Sequence, residues 1–165
     1  FVKELLMDGK CDIAFLRSES SSVKEFNSIP YMIDYLTAVL PATHPLAKAD
    51  NLPFEQLRGE TFLLFPEHSF INDLCIRECR NAGFEPHIAY TGNRGATLID
   101  LVRNGAGITL MMHHSARQEN DSSLAFIPVT PGIYSYISLN YAKEKPLSPQ
   151  AEIFVRYVKA HKRDF

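Results

Sequence analysis

The chain has 165 residues, of which 45% are hydrophobic, and 17 basic against 19 acidic residues give it a net charge of −2. A chain of this size and composition forms one compact domain or two small lobes. The balanced charge argues against direct binding of DNA or of an anionic membrane by these residues, and no apolar run approaches the roughly 20 residues that cross a bilayer.

The N-terminal part of the chain alternates apolar and polar segments of the lengths that helices, strands and turns take. A start at Phe1 without methionine indicates that the sequence is part of a longer chain. The predicted elements are, in order, the end of an amphipathic helix (residues 1–9), a buried strand (12–16), a polar loop (17–22), an extended segment (26–32), a strand broken by Pro41 (35–40), a turn (42–47) and a short helix (51–57).

A strand over residues 60–65 is followed by a helix that runs to about residue 81. Ser69 or Asn72 is the predicted N-cap of this helix, since both side chains can accept a hydrogen bond from a first-turn amide. Gly83 suits the end of the helix. Residues 115–123 are predicted as a polar helix and loop, and the chain closes with strands over residues 124–129 and 134–142 and a helix over residues 149–161.

Residues 84–114 read as strand, turn, helix, turn and strand, with the helix ended by Gly105. This order predicts a βαβ unit and therefore a parallel sheet covered on both faces. Gly105 and Gly107 follow a helix, whereas the glycines of a dinucleotide-binding fingerprint follow a strand. The turn over residues 91–95 is the better ligand position, because helix amides and the helix dipole are directed at that end of the sheet.

The middle of the chain contains strands and helices enough for a lobe of its own. We therefore predict an α/β protein with a first lobe over residues 1–41 and 128–165 and a second lobe over residues 42–127, joined by two crossing segments.

The three cysteines are Cys11, Cys75 and Cys79. An odd count without regular spacing argues against a disulfide scaffold and favours a reducing cytoplasm. Cys75 and Cys79 are four residues apart on one predicted helix, where their Cβ vectors run parallel, so buried and inert thiols are expected.

Metal and catalytic chemistry have little support in the sequence. The neighbouring His113 and His114 would face opposite sides of a strand, which excludes joint metal binding. No nucleophile elbow or other catalytic signature occurs, so the sequence predicts neither a cofactor, a metal nor an enzyme.

Five patches of the chain resemble the effector-binding domain of LysR-type transcriptional regulators. Their order and spacing hold over nearly the whole chain: LLMDGKCDIAFL at residues 5–16, LTAVLPATHPLA at 36–47, CRNAGFEPHIAY at 79–90, LIDLVRNGAGITLMM at 98–112 and KPLSPQAEIFVRYV at 145–158. Met111 and Met112 stand where the family often has Leu-Pro, a departure that bears on the pocket wall.

This resemblance implies two Rossmann-like lobes of the type II periplasmic-binding-protein kind, with a small effector in the cleft between them. It implies a bacterial, cytoplasmic homodimer or tetramer that binds promoter DNA through an N-terminal helix-turn-helix domain outside this sequence. The first strand and most of the first helix of the effector domain also lie outside it. No membrane partner is implied.

The predicted effector contacts follow from this fold and from the residue types. The start of the second-lobe helix can bind an anion such as a carboxylate, although an ordinary N-cap explains the same residues. Arg17 can pair with a carboxylate or remain a solvated loop residue. The residues that follow strand residue 91 are explained equally well by turn formation, and residue 111 by core packing, as by contact with an effector. The full set is Arg17, Ser18, Ser69, Phe70, Asn72, Thr91 and Met111.

Two other functions are open to a bilobal α/β chain. A solute-binding transport protein of the same fold would have a signal peptide upstream, and the cysteine count disfavours a periplasmic location. An enzyme on this fold is the weakest alternative, because no acid–base pair or nucleophile is in place.

Overall fold

The computed structural model describes residues 2–117 and 121–161. Over these residues the order is α1 (Val2–Met7), β1 (Ile13–Ser18), β2 (Phe26–Pro41), a 3₁₀ turn (Pro45–Lys48), β3 (Leu52–Pro53), a 3₁₀ turn (Phe54–Leu57), β4 (Thr61–Leu64), α2 (Phe70–Asn81), β5 (His87–Thr91), α3 (Gly95–Arg103), β6 (Thr109–Met112), α4 (His113–Ala116), β7 (Leu124–Thr130), β8 (Tyr134–Ala142) and α5 (Pro149–His161). Part of the predicted segment 115–123 lies outside the described residues.

The chain divides into two compact units, which we call the first unit (residues 1–34 and 134–165) and the second unit (residues 35–133). These limits differ from the predicted lobe limits after residues 41 and 127. The reason is that residues 36–39 of β2 pair with β6 and therefore belong to the second unit. The two extended segments predicted over residues 26–40 are one continuous strand, which Pro41 ends.

In the first unit, β1 runs antiparallel to β8, with Ile13 opposite Tyr141 and Ser18 opposite Tyr136. Strand β8 lies between β1 and β2 in the sheet. Alternation along these strands places one set of side chains against α5. The resulting core is small and consists of Ile29, Leu139, Val155 and Val158.

In the second unit, β2 is antiparallel to both β6 and β7, while β4 is parallel to β5. The pair Phe62 and Ile108 joins β4 to the start of β6 in parallel. The α3 face predicted to be apolar is confirmed, since Leu98, Ile99 and Val102 are buried. Gly83 and Gly105 have φ of +79° and +75° at the ends of α2 and α3, as the sequence predicts.

The short helix predicted over residues 51–57 is a 3₁₀ helix over Phe54–Leu57 with Pro53 as its N-cap, and Leu52 and Pro53 before it pair with β7. One local prediction for the second unit is wrong. Strand β5 is not covered on both faces, because all five of its residues are exposed. Among the described strands β5 pairs only with β4, which makes it an edge strand.

Candidate functional site

The start of α2 is a capped helix end with unpaired amides. Ser69 is the N-cap, as predicted, and its Oγ accepts a hydrogen bond from the Asn72 N–H at 3.3 Å. The amides of Phe70 and Ile71 have no acceptor among the described residues, which is usual for a first turn. These N–H groups and the helix dipole make the position electropositive, although Asp73 in the first turn reduces this potential.

Asn72 links α2 to the end of β4. Its side chain is only 1% exposed, and Nδ2 donates to the carbonyl oxygen of Phe65 at 2.8 Å. The amide group that was predicted to contact an effector is thus already bonded inside the second unit. In this structure it fixes where α2 begins.

Phe65 also lies beside the start of α3. A Cβ built on Gly95, the first residue of α3, would lie 3.7 Å from the Phe65 ring and 3.2 Å from the Met111 Cε. Met111 is buried beneath this point with 1% exposure, so its side chain packs in the core. The starts of α2 and α3 therefore share one neighbour, Phe65, whose carbonyl faces one helix and whose ring faces the other.

The electrostatics differ between these two helix starts. The first turn of α3 contains no acidic residue, and its N-cap is Arg94, an exposed residue whose side chain makes no capping hydrogen bond. A cation and free amides thus coincide at α3, whereas Asp73 follows the start of α2. The sequence analysis selected the turn over residues 91–95, which contains Arg94 and Gly95, but named neither residue as a contact, and it did not select Phe65. A glycine as the first helical residue and an arginine before it are the signals that could have singled out these two.

Thr91 is exposed at the end of β5, opposite Leu64 in the parallel register. It shares a groove of about 300 Å³ with Asn72. The structure therefore brings Thr91 to the same part of the second unit as the start of α2. Glu67 also lines the groove and makes it unfavourable for an anion; the other lining residues are Ile76, Ile88, Ala89 and Tyr90.

Arg17 and Ser18 lie in the first unit, at the end of β1. Nη1 of Arg17 donates to Ser135 Oγ at 2.6 Å, and both Nη1 and Nη2 lie 3.3 Å from Oδ2 of the fully buried Asp34. The guanidinium is thus not a solvated loop group but forms an internal ion pair. Ser18 Oγ donates to the Ser20 carbonyl at 2.7 Å, which shapes the following turn.

His113 is held by aromatic stacking and a hydrogen bond within the second unit. Its ring stacks on Tyr35, with centroids 4.3 Å apart and planes at 21°, and Nδ1 lies 3.3 Å from the buried Thr37 hydroxyl. The expectation that His113 and His114 lie on a strand is wrong, because they begin α4. Within the described residues, no group of three or more His, Cys, Asp or Glu side chains is placed to hold a metal ion.

The thiols of Cys75 and Cys79 are buried on α2, as the sequence predicts. Burial raises the pKa of Cys79 to about 12, with Glu85 and Glu78 adding to the effect. Burial also raises the pKa of Cys75 well above its usual value. Both groups stay protonated near neutral pH and do not act as nucleophiles.

Comparison with known proteins resolves which family this arrangement represents. The sequence model of the family described as the LysR substrate binding domain matches residues 1–163. The chain belongs to this family. This chain is 26% identical over 159 residues to the transcriptional dual regulator GltC of Bacillus subtilis (strain 168), covering 96% of this chain and 53% of GltC. It is 32% identical over 126 residues to the regulator CatR of Pseudomonas putida, covering 75% of this chain and 43% of CatR.

Two solved structures show the same fold. The CcmR regulatory domain of Synechocystis PCC6803 matches with a TM-score of 0.87 at 16% identity, over 99% of this chain and 79% of that one. The C-terminal domain of a probable LysR family regulator from Rhodococcus sp. RHA1 matches with a TM-score of 0.79 at 24% identity, over 96% and 78%. The predicted fold class, two α/β lobes of the type II periplasmic-binding-protein kind, is confirmed.

This chain spans about half the length of the curated relatives that it matches. Those relatives are transcriptional regulators, and none of the ones named here is a transport protein or an enzyme. None of the helices in the described part of the chain is long and apolar enough to cross a membrane.

Proposed function

We propose that this chain is the effector-sensing domain of a LysR-type bacterial transcriptional regulator. The observation that carries the proposal is the family match over residues 1–163, supported by regulators that align with nearly all of the chain. A small molecule binds this domain and changes the oligomer, and a helix-turn-helix domain outside this chain binds promoter DNA in response. The ligand must prefer one arrangement of the oligomer, because a ligand with equal affinity for both would change nothing.

The effector is a small carboxylate or another small anion held near the starts of α2 and α3. Free amides at both helix starts support this proposal, as does the Arg94 cation at α3. A ligand-bound relative of the fold also supports an effector site: the Synechocystis CcmR regulatory domain is described in complex with 2-PG. Within the second unit the proposed contacts remain Ser69, Phe70, Asn72, Thr91 and Met111, and we add Arg94 as a proposed charged contact. Arg17 and Ser18 remain proposed contacts of the first unit.

The structure gives these residues unequal parts in the proposed site. Ser69 and the Phe70 amide offer donors. Thr91 offers an exposed hydroxyl, but Glu67 lines the same groove and opposes an anionic group there. Asn72 and Met111 act indirectly, because their side chains are buried and already placed against the second unit's own atoms. Arg17 lies in the first unit and offers a ligand there only its remaining N–H donors, since part of the guanidinium is engaged by Asp34.

We further propose that the whole regulator is a cytoplasmic homodimer or tetramer without a bound cofactor or metal. The exposed edge strand β5 supports self-association, because a strand edge with unpaired backbone groups pairs readily with another chain. Reading the coding sequence upstream of Phe1 tests the class of protein. A helix-turn-helix there supports a regulator, whereas a signal peptide would refute this function.

A ligand screen tests the binding site. Thermal unfolding of the chain would be followed against small carboxylates, amino acids and aromatic acids, since binding to the native state alone raises the midpoint with concentration. Affinities for any hit would then be measured by calorimetry for Ser69→Asp. Aspartate is as good an N-cap as serine, so stability should be kept, while its negative charge should abolish binding of an anion.

Ser122→Asp is the matched control, because it adds the same charge at an exposed turn of the second unit. We expect this variant to bind like the original chain. Unchanged affinity in Ser69→Asp would contradict an anion site at α2, and no saturable hit across the panel would contradict a small carboxylate effector.

A further inference from the structure

One side chain contacts all three strands that the first unit contributes to its sheet. Arg17 lies on β1, Ser135 on β8 and Asp34 on β2, and β8 is the middle strand of the three. The guanidinium donates to Ser135 Oγ at 2.6 Å, and two of its nitrogens lie 3.3 Å from Asp34 Oδ2. Both acceptor residues are fully buried. These contacts are therefore internal to the unit and do not depend on its outer surface.

Two short segments carry the chain out of the first unit and back into it. They are residues 34–36, on β2, and residues 133–135, before and at the start of β8, and we call them the crossing segments. Each contains one of the two acceptors of Arg17. Within the second unit, the Leu36 amide also donates to the Ile133 carbonyl oxygen at 2.8 Å. The crossing segments are thus joined by one backbone hydrogen bond and, through the guanidinium, by side-chain contacts.

The chemistry of arginine suits this position between two acceptors. Its donors form a rigid planar fork that can serve two acceptors at once, and hydrogen bonds from a charged donor are stronger than those between neutral groups. Local opening of a strand breaks only the bonds at that place. Separating the two crossing segments, however, also requires Arg17 to release either Asp34 or Ser135. Opening is therefore rarer while the guanidinium is in place.

We propose that Arg17 is a positioning residue that holds the two crossing segments together, so that a displacement of one segment is passed to the other. This inference rests on the proposed function, in which a bound ligand changes the oligomer, but the contacts that carry it involve no ligand. A residue that only stabilised the first unit would change the unfolding of that unit. A residue that ties the crossing segments also controls the Leu36–Ile133 hydrogen bond, which lies in the second unit.

Amide hydrogen exchange of the 165-residue chain without ligand, followed by NMR, tests the proposal. The measured quantity is the exchange rate of the Leu36 amide divided by that of the Leu63 amide, which donates to the Ile108 carbonyl oxygen at the same 2.8 Å within the second unit. Unfolding of the whole second unit affects both amides and cancels in this ratio. Arg17→Met should raise the ratio by about tenfold or more, because bonds from a charged donor are lost. Ser135→Ala removes one acceptor without leaving a buried charge, so it is expected to fold and to raise the ratio by a smaller factor.

Two further variants separate a tie between the crossing segments from a general loss of stability. Arg17→Met combined with Asp34→Leu leaves no buried charge, so its unfolding in urea should be nearly normal while the exchange ratio stays raised. Val155→Ala should show the reverse, lower stability with an unchanged ratio, because Val155 belongs to the core of the first unit and makes none of the Arg17 contacts. An unchanged ratio in Arg17→Met or in Ser135→Ala, a normal ratio in the double variant, or an equal rise in Val155→Ala would each overturn the proposal.

Discussion

The buried carboxylate of Asp34 depends on Arg17, and replacing Arg17 by methionine tests that dependence. Methionine keeps an unbranched apolar stem of similar reach but removes the guanidinium. It thereby breaks two contacts of 3.3 Å to Asp34 Oδ2 and one of 2.6 Å to Ser135 Oγ. Asp34 has no exposed surface from which water could replace the lost cation.

The expected cost follows from burial. Removing one partner of a buried ion pair destabilises a protein by about 3–5 kcal/mol. The Arg17 side chain keeps 20% exposure, so water screens part of its interaction with Asp34. We therefore expect a loss of about 3 kcal/mol for Arg17→Met, a large share of the total stability of a small protein.

Urea unfolding followed by circular dichroism measures this loss. Lys3→Met is the matched control in the same unit, because Lys3 pairs with Glu25 at 2.8 Å while both side chains are about half exposed. Such exposed pairs contribute little, so this variant should unfold almost like the original chain. Arg17→Met together with Asp34→Leu should recover most of the stability, since an apolar replacement leaves no buried charge. An Arg17→Met midpoint equal to that of Lys3→Met would refute the reasoning.

Three further outcomes can be checked on the same chain. Gly107→Ala should lower the free energy of unfolding by about 2–3 kcal/mol in urea, because φ is +155° and the new Cβ would clash with a carbonyl oxygen of β4. In the control Gly59→Ala, φ is +88° but the space around the new Cβ is open, so the loss should be only about 1 kcal/mol. Thr109→Val should leave the free energy of unfolding unchanged or raise it by up to about 1 kcal/mol, because the buried Thr109 hydroxyl has no hydrogen-bond partner in the described part of the chain. A decrease of more than about 1 kcal/mol would show that this hydroxyl does have a hydrogen-bond partner. Iodoacetamide at pH 8 should label the half-buried Cys11 and leave both cysteines of α2 unlabelled until urea is added. The reason is that a pKa of about 12 leaves only about one Cys79 thiol in ten thousand ionised. Labelling of Cys75 or Cys79 before urea is added, detected by mass spectrometry, would contradict their burial.

Local patterns predicted the helix ends well because their causes are local. Ser69 caps α2 through an amide three residues away, and Gly83 and Gly105 supply the positive φ that ends two helices. The continuity of β2 could not be predicted in the same way. Whether residues 33 and 34 bend or stay extended depends on strand pairing next to them, and the strands that pair with residues 36–41 lie 70 to 91 residues away along the chain.

The partner of Arg17 was also beyond sequence reasoning. Its two acceptors are 17 and 118 residues distant along the chain, and neither Asp34 nor Ser135 stands out in composition or spacing. An arginine after a buried strand is equally compatible with a solvated loop, a ligand contact or an ion pair. Only the fold determines which acceptor lies near the arginine. A prediction made from residue type alone therefore assigns a binding role to too many residues.

The same argument applies to the predicted effector contacts of the second unit. Asn72 and Met111 were selected because they stand at the correct ends of a helix and a strand, yet both side chains are buried against the unit itself. Side chains that are already engaged in holding the starts of α2 and α3 beside Phe65 cannot also distinguish one small anion from another. In the proposed site, discrimination between effectors would then come from groups that remain accessible, such as the Thr91 hydroxyl and the Arg94 guanidinium. Substitutions at those two positions should therefore change which carboxylate binds, while substitutions at Asn72 or Met111 should change whether the site forms at all.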